Sequence, residues 1–223
     1  MIRALSTIVA ALEFVAPKFQ HKAEASAHVQ ALAIKYDLDP FTIIAVVRNE
    51  SAWQSGAINR RTGARGLGQI MPTNYRKCVN APDGPECERI KAALLGWKYN
   101  LSETARTLAT WRSYCDKRVG SELAIHWLPG YQGLDMRRGA ICGHQRRSSG
   151  WTPLQAVPKL TERVLANRRE LEARFAPPSP KAPFAPARSA AFPSLTAMEP
   201  NGASPQIHAR MPFTKAKPRA QAR

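Results

Sequence analysis

Apolar residues recur at helical spacing through most of the first 176 positions. Leu5, Ile8, Val9, Leu12, Val15 and Ala16 form one stripe, Val29, Leu32, Ala33 and Tyr36 a second, and Ile43, Val46 and Val47 a third. Steps of three and four residues put each set on one face, so the pattern predicts amphipathic helices. A longer stripe, Ile90, Leu94, Trp97, Leu101, Ala105 and Leu108, predicts one continuous helix over Glu88 to Trp111. Ser121 is placed to cap the helix that ends in HWLPGYQG. Thr152-Pro153 reads as the start of a last helical region, broken at Pro158 and resumed under a Thr161 cap as far as Phe175. The expected fold class is mainly α.

The third stripe carries a residue of the wrong kind. Asp39-Pro40 is a helix start, with Asp at the cap and Pro at the first helical position, where its missing N–H is not needed. From there Glu50 falls on the same face as Ile43, Val46 and Val47. Burial against aliphatic neighbours and the negative end of the helix dipole both disfavour its anion, so the carboxyl is held protonated towards neutral pH, as a general acid requires. The plainer alternative is a frayed helix end with Glu50 in water. Downstream, Gly63, Gly66 and Gly68 allow a tight turn and close backbone approach, with Gln69 in the turn and Pro72 ending it.

Glu50-Ser51, Ala57-Ile58-Asn59 and the run Gly63-Ala64-Arg65-Gly66-Leu67-Gly68-Gln69-Ile70-Met71-Pro72 together resemble the catalytic region of soluble-type lytic transglycosylases, lysozyme-like enzymes that cut the glycan of bacterial peptidoglycan. The resemblance implies a lysozyme-like helical domain over residues 28–176 and a catalytic Glu50. It also implies that Ser51 and Asn59 orient the Glu or the substrate acetamido group, that Gln69 and Met71 line sugar subsites, and that Asn74-Tyr75 continue the wall of the site. Ser51 reads equally as a helix-end hydroxyl satisfied by backbone. Gly68 stands where many relatives carry Met, which implies a wider pocket. The family's A-Y-N-x-G segment, whose Tyr holds the Glu and the sugar, is altered here to HWLPGYQG. Either Trp127 serves as a stacking platform or Tyr131 supplies the hydroxyl. In LLGWKYNL, which resembles a structural stretch of the family, Trp97 and Tyr99 read as packing residues or as substrate contacts.

Composition narrows the setting. Ten of the 18 prolines follow Ala176, and the segment 177–223 has seven basic residues against Glu199 alone. It reads as a disordered basic Pro/Ala-rich tail. A net charge of +17 favours polyanionic partners, and the basic residues are scattered rather than arranged as an aromatic-interleaved stripe. Wall glycan strands are therefore the expected partner, with a secretion or cell-wall machinery as a further partner class, and no dedicated nucleic-acid role. Arg137-Arg138 and Arg146-Arg147 are candidates for a basic groove rim or a solvated face. Residues 1–27 read either as a signal peptide, with small residues in AEASA before His28, or as an accessory helix, since Glu13 interrupts the apolar run. No run reaches the ~20 apolar residues of a membrane-spanning helix.

Cys78 and Cys87 bracket the turn-rich VNAPDGPE, a loop that closes readily, which leaves Cys115 with Cys142. Two disulfides fit a periplasmic or secreted protein. A metal site from Cys115, His126, Cys142 and His144 is the competing reading, although its spacing matches no common zinc pattern.

Glycoside hydrolysis by the common route needs two carboxyl groups. Between Glu50 and Asn80 the chain has no Asp or Glu. A single-carboxyl mechanism is the economical inference, and the resemblance supplies one that needs neither metal nor organic cofactor and leaves 1,6-anhydro ends. The alternatives are a lysozyme-type hydrolase using a remote carboxylate such as Asp116 or Asp135, a non-catalytic wall-binding protein, and, third, a basic nucleic-acid-binding module. A monomer is expected.

Overall fold

The computed structural model describes residues 3–119, 124–133, 140–147, 150–153 and 158–175. Eight helices in these segments carry the predicted stripes: α1 Leu5–Val15, α2 Lys22–Tyr36, α3 Pro40–Ser51, α4 Arg76–Asn80, α5 Pro85–Ala93, α6 Trp97–Val119, α7 Ala124–Tyr131 and α8 Lys159–Phe175. The fold is mainly helical, as the periodicity implies. The tail 177–223, Ser121, Asp135 and Arg137-Arg138 lie outside the described residues.

Helix α3 is the axis of the domain. Asp39 caps it, accepting a hydrogen bond from the Thr42 N–H at 3.2 Å, with Pro40 in its first turn, and every residue from Pro40 to Val47 is buried. Burial on all sides follows from its neighbours. α2 packs Val29, Leu32 and Ala33 into the core, α1 brings Ile8, Ala11 and Leu12, and α8 lies along α3 with Val164 and Leu171. Charges fasten the α3–α8 seam at both ends: Arg168 pairs with Asp39 at 3.1 Å and Arg48 with Glu170 at 2.6 Å. Arg3, preceding α1, joins the first of these through Asp39 at 3.0 Å and lies over the Phe41 ring at 3.9 Å.

Three expectations are corrected. The stripe from Glu88 to Trp111 is two helices, α5 and α6, separated at Leu94–Gly96. The Leu94 carbonyl leaves the helical ladder to accept a hydrogen bond from the Asn100 side chain at 2.7 Å. Thr152-Pro153 starts no helix. It ends the third strand of a small antiparallel sheet, β1 Ala140–Ile141, β2 His144–Arg147 and β3 Gly150–Pro153, in which Thr152 pairs with Gln145. Thr161 is no cap either, for it sits inside the first turn of α8, fully buried.

Both expected disulfides are present, Cys78–Cys87 and Cys115–Cys142. The second ties α6 to the turn between β1 and β2, and His126 and His144 stack beside it with ring centroids 4.7 Å apart. The four residues of the alternative metal reading do converge, but with both sulfurs joined to each other they offer no thiolate ligands. Cys115 and Cys142 are 27 residues apart. Breaking that tie by Cys115→Ala with Cys142→Ala is expected to lower stability by roughly 3–4 kcal/mol on the loop-entropy relation. The midpoint of a urea titration measures it. Among the described residues no helix is long and apolar enough to cross a membrane.

Candidate active site

Glu50 occupies the last full turn of α3, half-buried. Burial is the largest influence on its carboxyl and raises its pKa above the ordinary Glu value, while hydrogen bonds from Gln132 and Asn49 pull the other way. Both partners are neutral amides, and both reach Oε1: Gln132 Nε2 donates at 3.4 Å and Asn49 Nδ2 at 3.3 Å. Gln132 is itself aimed by Thr161, whose hydroxyl donates to its Oε1 at 2.8 Å. The acid is thus presented by α3, oriented from the end of α7, and backed by α8. The helix then ends at Ala52, in the left-handed region at φ 50°.

The chain that follows folds back as a glycine loop. Arg65 bridges to both Ile58 and Ile70 as paired backbone. Gly66 adopts φ 72°, and a Cβ there would lie 2.1 Å from the Leu94 carbonyl oxygen and 2.3 Å from Asn100 Nδ2. Only glycine permits that approach. Fully buried Asn100 fastens the loop: Nδ2 donates to the Arg65 oxygen at 2.9 Å and the Leu94 oxygen at 2.7 Å, while Oδ1 accepts the Gly68 N–H at 2.7 Å. Thr104, one turn further along α6, lies against Gly68 and donates to the Asn100 backbone oxygen at 2.8 Å.

Gly68 widens nothing. A Cβ at this position would meet Thr104 Oγ1 at 1.9 Å and the Tyr131 hydroxyl at 2.8 Å, so the space is already filled. Tyr131 donates to the Gly68 carbonyl at 2.6 Å. Its phenol pKa is pushed far up, by burial first and by the charge of Glu50 next, with the Thr104 hydroxyl opposing. It is a neutral donor throughout the physiological range. Tyr131 reaches the loop because α7 lies directly on α6 at Gly130, where a Cβ would be 2.3 Å from the Trp111 ring. Trp127, one turn earlier on α7, is 4% exposed. So little exposed surface argues against the stacking-platform expectation for Trp127.

The remaining candidates divide. Ser51 donates to the Val47 carbonyl at 3.3 Å, which is the backbone-satisfied arrangement. Asn59 is exposed, and its Oδ1 accepts the N–H groups of Arg61 and Thr62 at 3.1 and 3.2 Å, which shapes its own loop. Gln69, at φ 51°, spends Nε2 on the carbonyls of Gly66 and Ala57 at 3.0 and 3.3 Å. Its Oε1 accepts nothing among the described residues. Met71 is half-buried just before the short 3-10 turn Pro72–Asn74. Tyr75 donates to Glu103 at 2.6 Å, and Arg106 holds the same carboxylate at 2.6 Å. Burial works against the Glu103 anion, yet the bonds from Arg106 and Tyr75 keep its pKa below the ordinary value. It is a committed anion, unlike Glu50.

Asn100, Thr104, Gln132 and Thr161 were not legible as site residues from the stripes alone. A signal existed for two of them, since Asn100 and Thr104 interrupt the apolar face of α6 as Glu50 interrupts that of α3.

Gln132 offers a direct test of the electrostatics. Its amide favours the charged form of Glu50, so Gln132→Leu is expected to raise the Glu50 pKa further. The pH at which the Glu50 carboxyl loses its proton then moves up, and NMR of that carboxyl across a pH titration measures the shift.

A comparison with curated proteins finds no match for the chain. Residues 28–89 match the profile of the family described as the transglycosylase SLT domain, a span that holds most of α2, all of α3 with Glu50, and the whole glycine loop. That segment is similar to the transglycosylase SLT domain family, and the mainly helical fold around it is consistent with a lysozyme-like helical domain.

Proposed function

We propose that the protein is a peptidoglycan lytic transglycosylase working with one carboxyl group. Protonated Glu50 gives its proton to the oxygen bridging N-acetylmuramic acid and N-acetylglucosamine. The C1–O bond breaks while the acetamido carbonyl oxygen of the muramic residue bonds to C1. Glu50, now anionic, takes the proton of the 6-hydroxyl as O6 attacks C1 and displaces the acetamido oxygen. A 1,6-anhydro end forms, the acid is regenerated, and no water is consumed.

The observation that carries this reading is the setting of Glu50: a half-buried carboxyl with a raised pKa, held among the described residues by the neutral amides of Gln132 and Asn49. Such a group alternates between acid and base as the mechanism asks. Gln132 supports the anionic half of the cycle, and Tyr131 bridges the loop to α7 as a neutral donor. That both come from HWLPGYQG favours catalysis over a wall-binding role, because the altered segment still supplies a polar partner to the acid and a second polar group to the glycine loop. Gln69 Oε1 and Met71 remain the groups offered to the sugar. The paired cysteines and a wall substrate favour a periplasmic or secreted location. The packing of α1 on α2, α3 and α8 favours residues 1–27 as part of the working domain.

Purified peptidoglycan sacculi provide the test. The protein is expected to release soluble fragments from them. Saturable binding to sacculi with no release at any pH would replace the enzyme reading with a binding one.

A further inference from the structure

A cavity of about 490 Å³ opens at the start of α3, bounded by Arg3, the first half of α1, the end of α2 and the second half of α8. Its size lies within the roughly 300–1,000 Å³ of small-molecule sites. It belongs to the opposite end of α3 from Glu50. Asp39 and Glu50 are separated by about 16 Å along the helix, at 1.5 Å per residue.

The wall of this cavity has two parts. Ile8, Ala33, Leu38 and Pro40, all buried, make it apolar on one part. The other part is a closed ring of four charges: Arg3 to Asp39 at 3.0 Å, Asp39 to Arg168 at 3.1 Å, Arg168 to Glu172 at 3.0 Å, and Glu172 back to Arg3 at 3.5 Å. These bonds leave capacity over. A guanidinium carries five N–H donors, and among the described residues the Nη1 groups of Arg3 and Arg168 have no partner. Glu172 Oε2 likewise accepts nothing there, and Asp37 at the rim, its side chain 92% exposed, meets Arg112 through Oδ2 alone. Arg3 is already fixed in place, over the Phe41 ring, with its backbone carbonyl accepting from Gln30 at 3.0 Å. Its donors need little ordering when a ligand arrives.

Charge selects the ligand. The lining holds three carboxylates, Asp37, Asp39 and Glu172, against two guanidiniums, in a chain of net charge +17. An anion meets the local excess of negative charge, and a cation meets the field of the whole chain. A neutral molecule bearing both charges avoids both penalties. We propose that this pocket binds a free aliphatic α-amino acid. Its carboxylate accepts from the Nη1 groups of Arg3 and Arg168, its ammonium donates to Glu172 and Asp37, and its side chain packs on Ile8, Ala33 and Leu38. The site stands apart from the proposed activity of Glu50. Arg3, Ile8, Arg168 and Glu172 also lie outside the segment 28–89 that matches the family.

The test is a titration of the full chain with leucine, followed by NMR at the backbone amides of Ala33 and Ile34 and at the Arg168 Nε–H. All three signals are expected to shift saturably. N-acetylleucine, which lacks the ammonium, and leucinamide, which lacks the carboxylate, should each bind roughly tenfold more weakly or worse, the loss of one hydrogen bond to a charged group. Asp37→Asn should weaken leucine binding several-fold without moving the melting temperature. Asn tolerates the left-handed backbone of this position, at φ 51°, and Arg112 keeps its bonds to the carbonyls of Tyr36 and Asp37. Absent or non-saturating shifts would overturn the site. Equal binding of either leucine derivative contradicts recognition of both charges, and unchanged affinity in Asp37→Asn contradicts the placement of the ammonium. None of these results bears on the release of fragments from sacculi, which tests Glu50 separately.

Discussion

Glu50→Gln is expected to lower the rate of fragment release from peptidoglycan by roughly 10²–10⁴-fold, the usual contribution of a positioned general acid. The amide keeps the size and the neutrality of the protonated acid, so the fold and wall binding should persist. Stability should change in a defined direction. The carboxyl has a raised pKa when folded, so its contribution is complete below the ordinary Glu range and is lost as pH rises through the folded value. Gln has no proton to lose. The variant should therefore match the wild type in acid and exceed it at neutral pH. Thermal melts across that range, read beside activity, separate a lost acid from a lost fold. A variant inactive because it is unfolded would show the opposite order of melting temperatures.

Asn100→Leu should be the most damaging substitution for stability. Its side chain satisfies three buried backbone groups, the oxygens of Arg65 and Leu94 and the N–H of Gly68. Leucine keeps the approximate volume and strands all three. At about 1–3 kcal/mol for each buried group left unpaired, the loss is on the order of 3–5 kcal/mol, a large share of the 5–15 kcal/mol that holds a typical domain. Denaturant titration measures it. Loss below about 1 kcal/mol would mean that the glycine loop is fastened elsewhere. Activity should fall with stability, because the same loop carries Gln69 and the Gly68 carbonyl that receives Tyr131.

Local rules made part of this architecture readable. Asp39-Pro40 declares the start of α3 because a cap needs only neighbours three residues away. Cys78 and Cys87 pair across a short loop for the same reason. Glu50 was legible because a carboxylate on an aliphatic stripe contradicts its surroundings. The sheet was not legible, since strands of two to four residues give alternation too few positions to register, and Thr-Pro serves a helix start or a strand end equally well. The break at Leu94–Gly96 was hidden because Leu94, fully buried within it, continues the apolar spacing from α5 into α6. Long-range closure hid the rest. Gly68 implied a wider pocket only until Thr104 from α6 and Tyr131 from α7 were seen to fill it. Trp127 suggested a platform from its place in the altered HWLPGYQG segment, and its burial shows only once α7 packs on α6, while Tyr131 reaches the loop at the Gly68 carbonyl.

The central claim is that Glu50 cuts the glycan alone and without water. Digesting peptidoglycan in water enriched in 18O, then weighing the released fragments by mass spectrometry, tests it most directly. The account predicts 1,6-anhydro ends with no 18O at the new anomeric carbon, in amounts that vanish with Glu50→Gln. Reducing ends carrying 18O would contradict it, because water would then be the nucleophile and a second carboxylate would have to activate it.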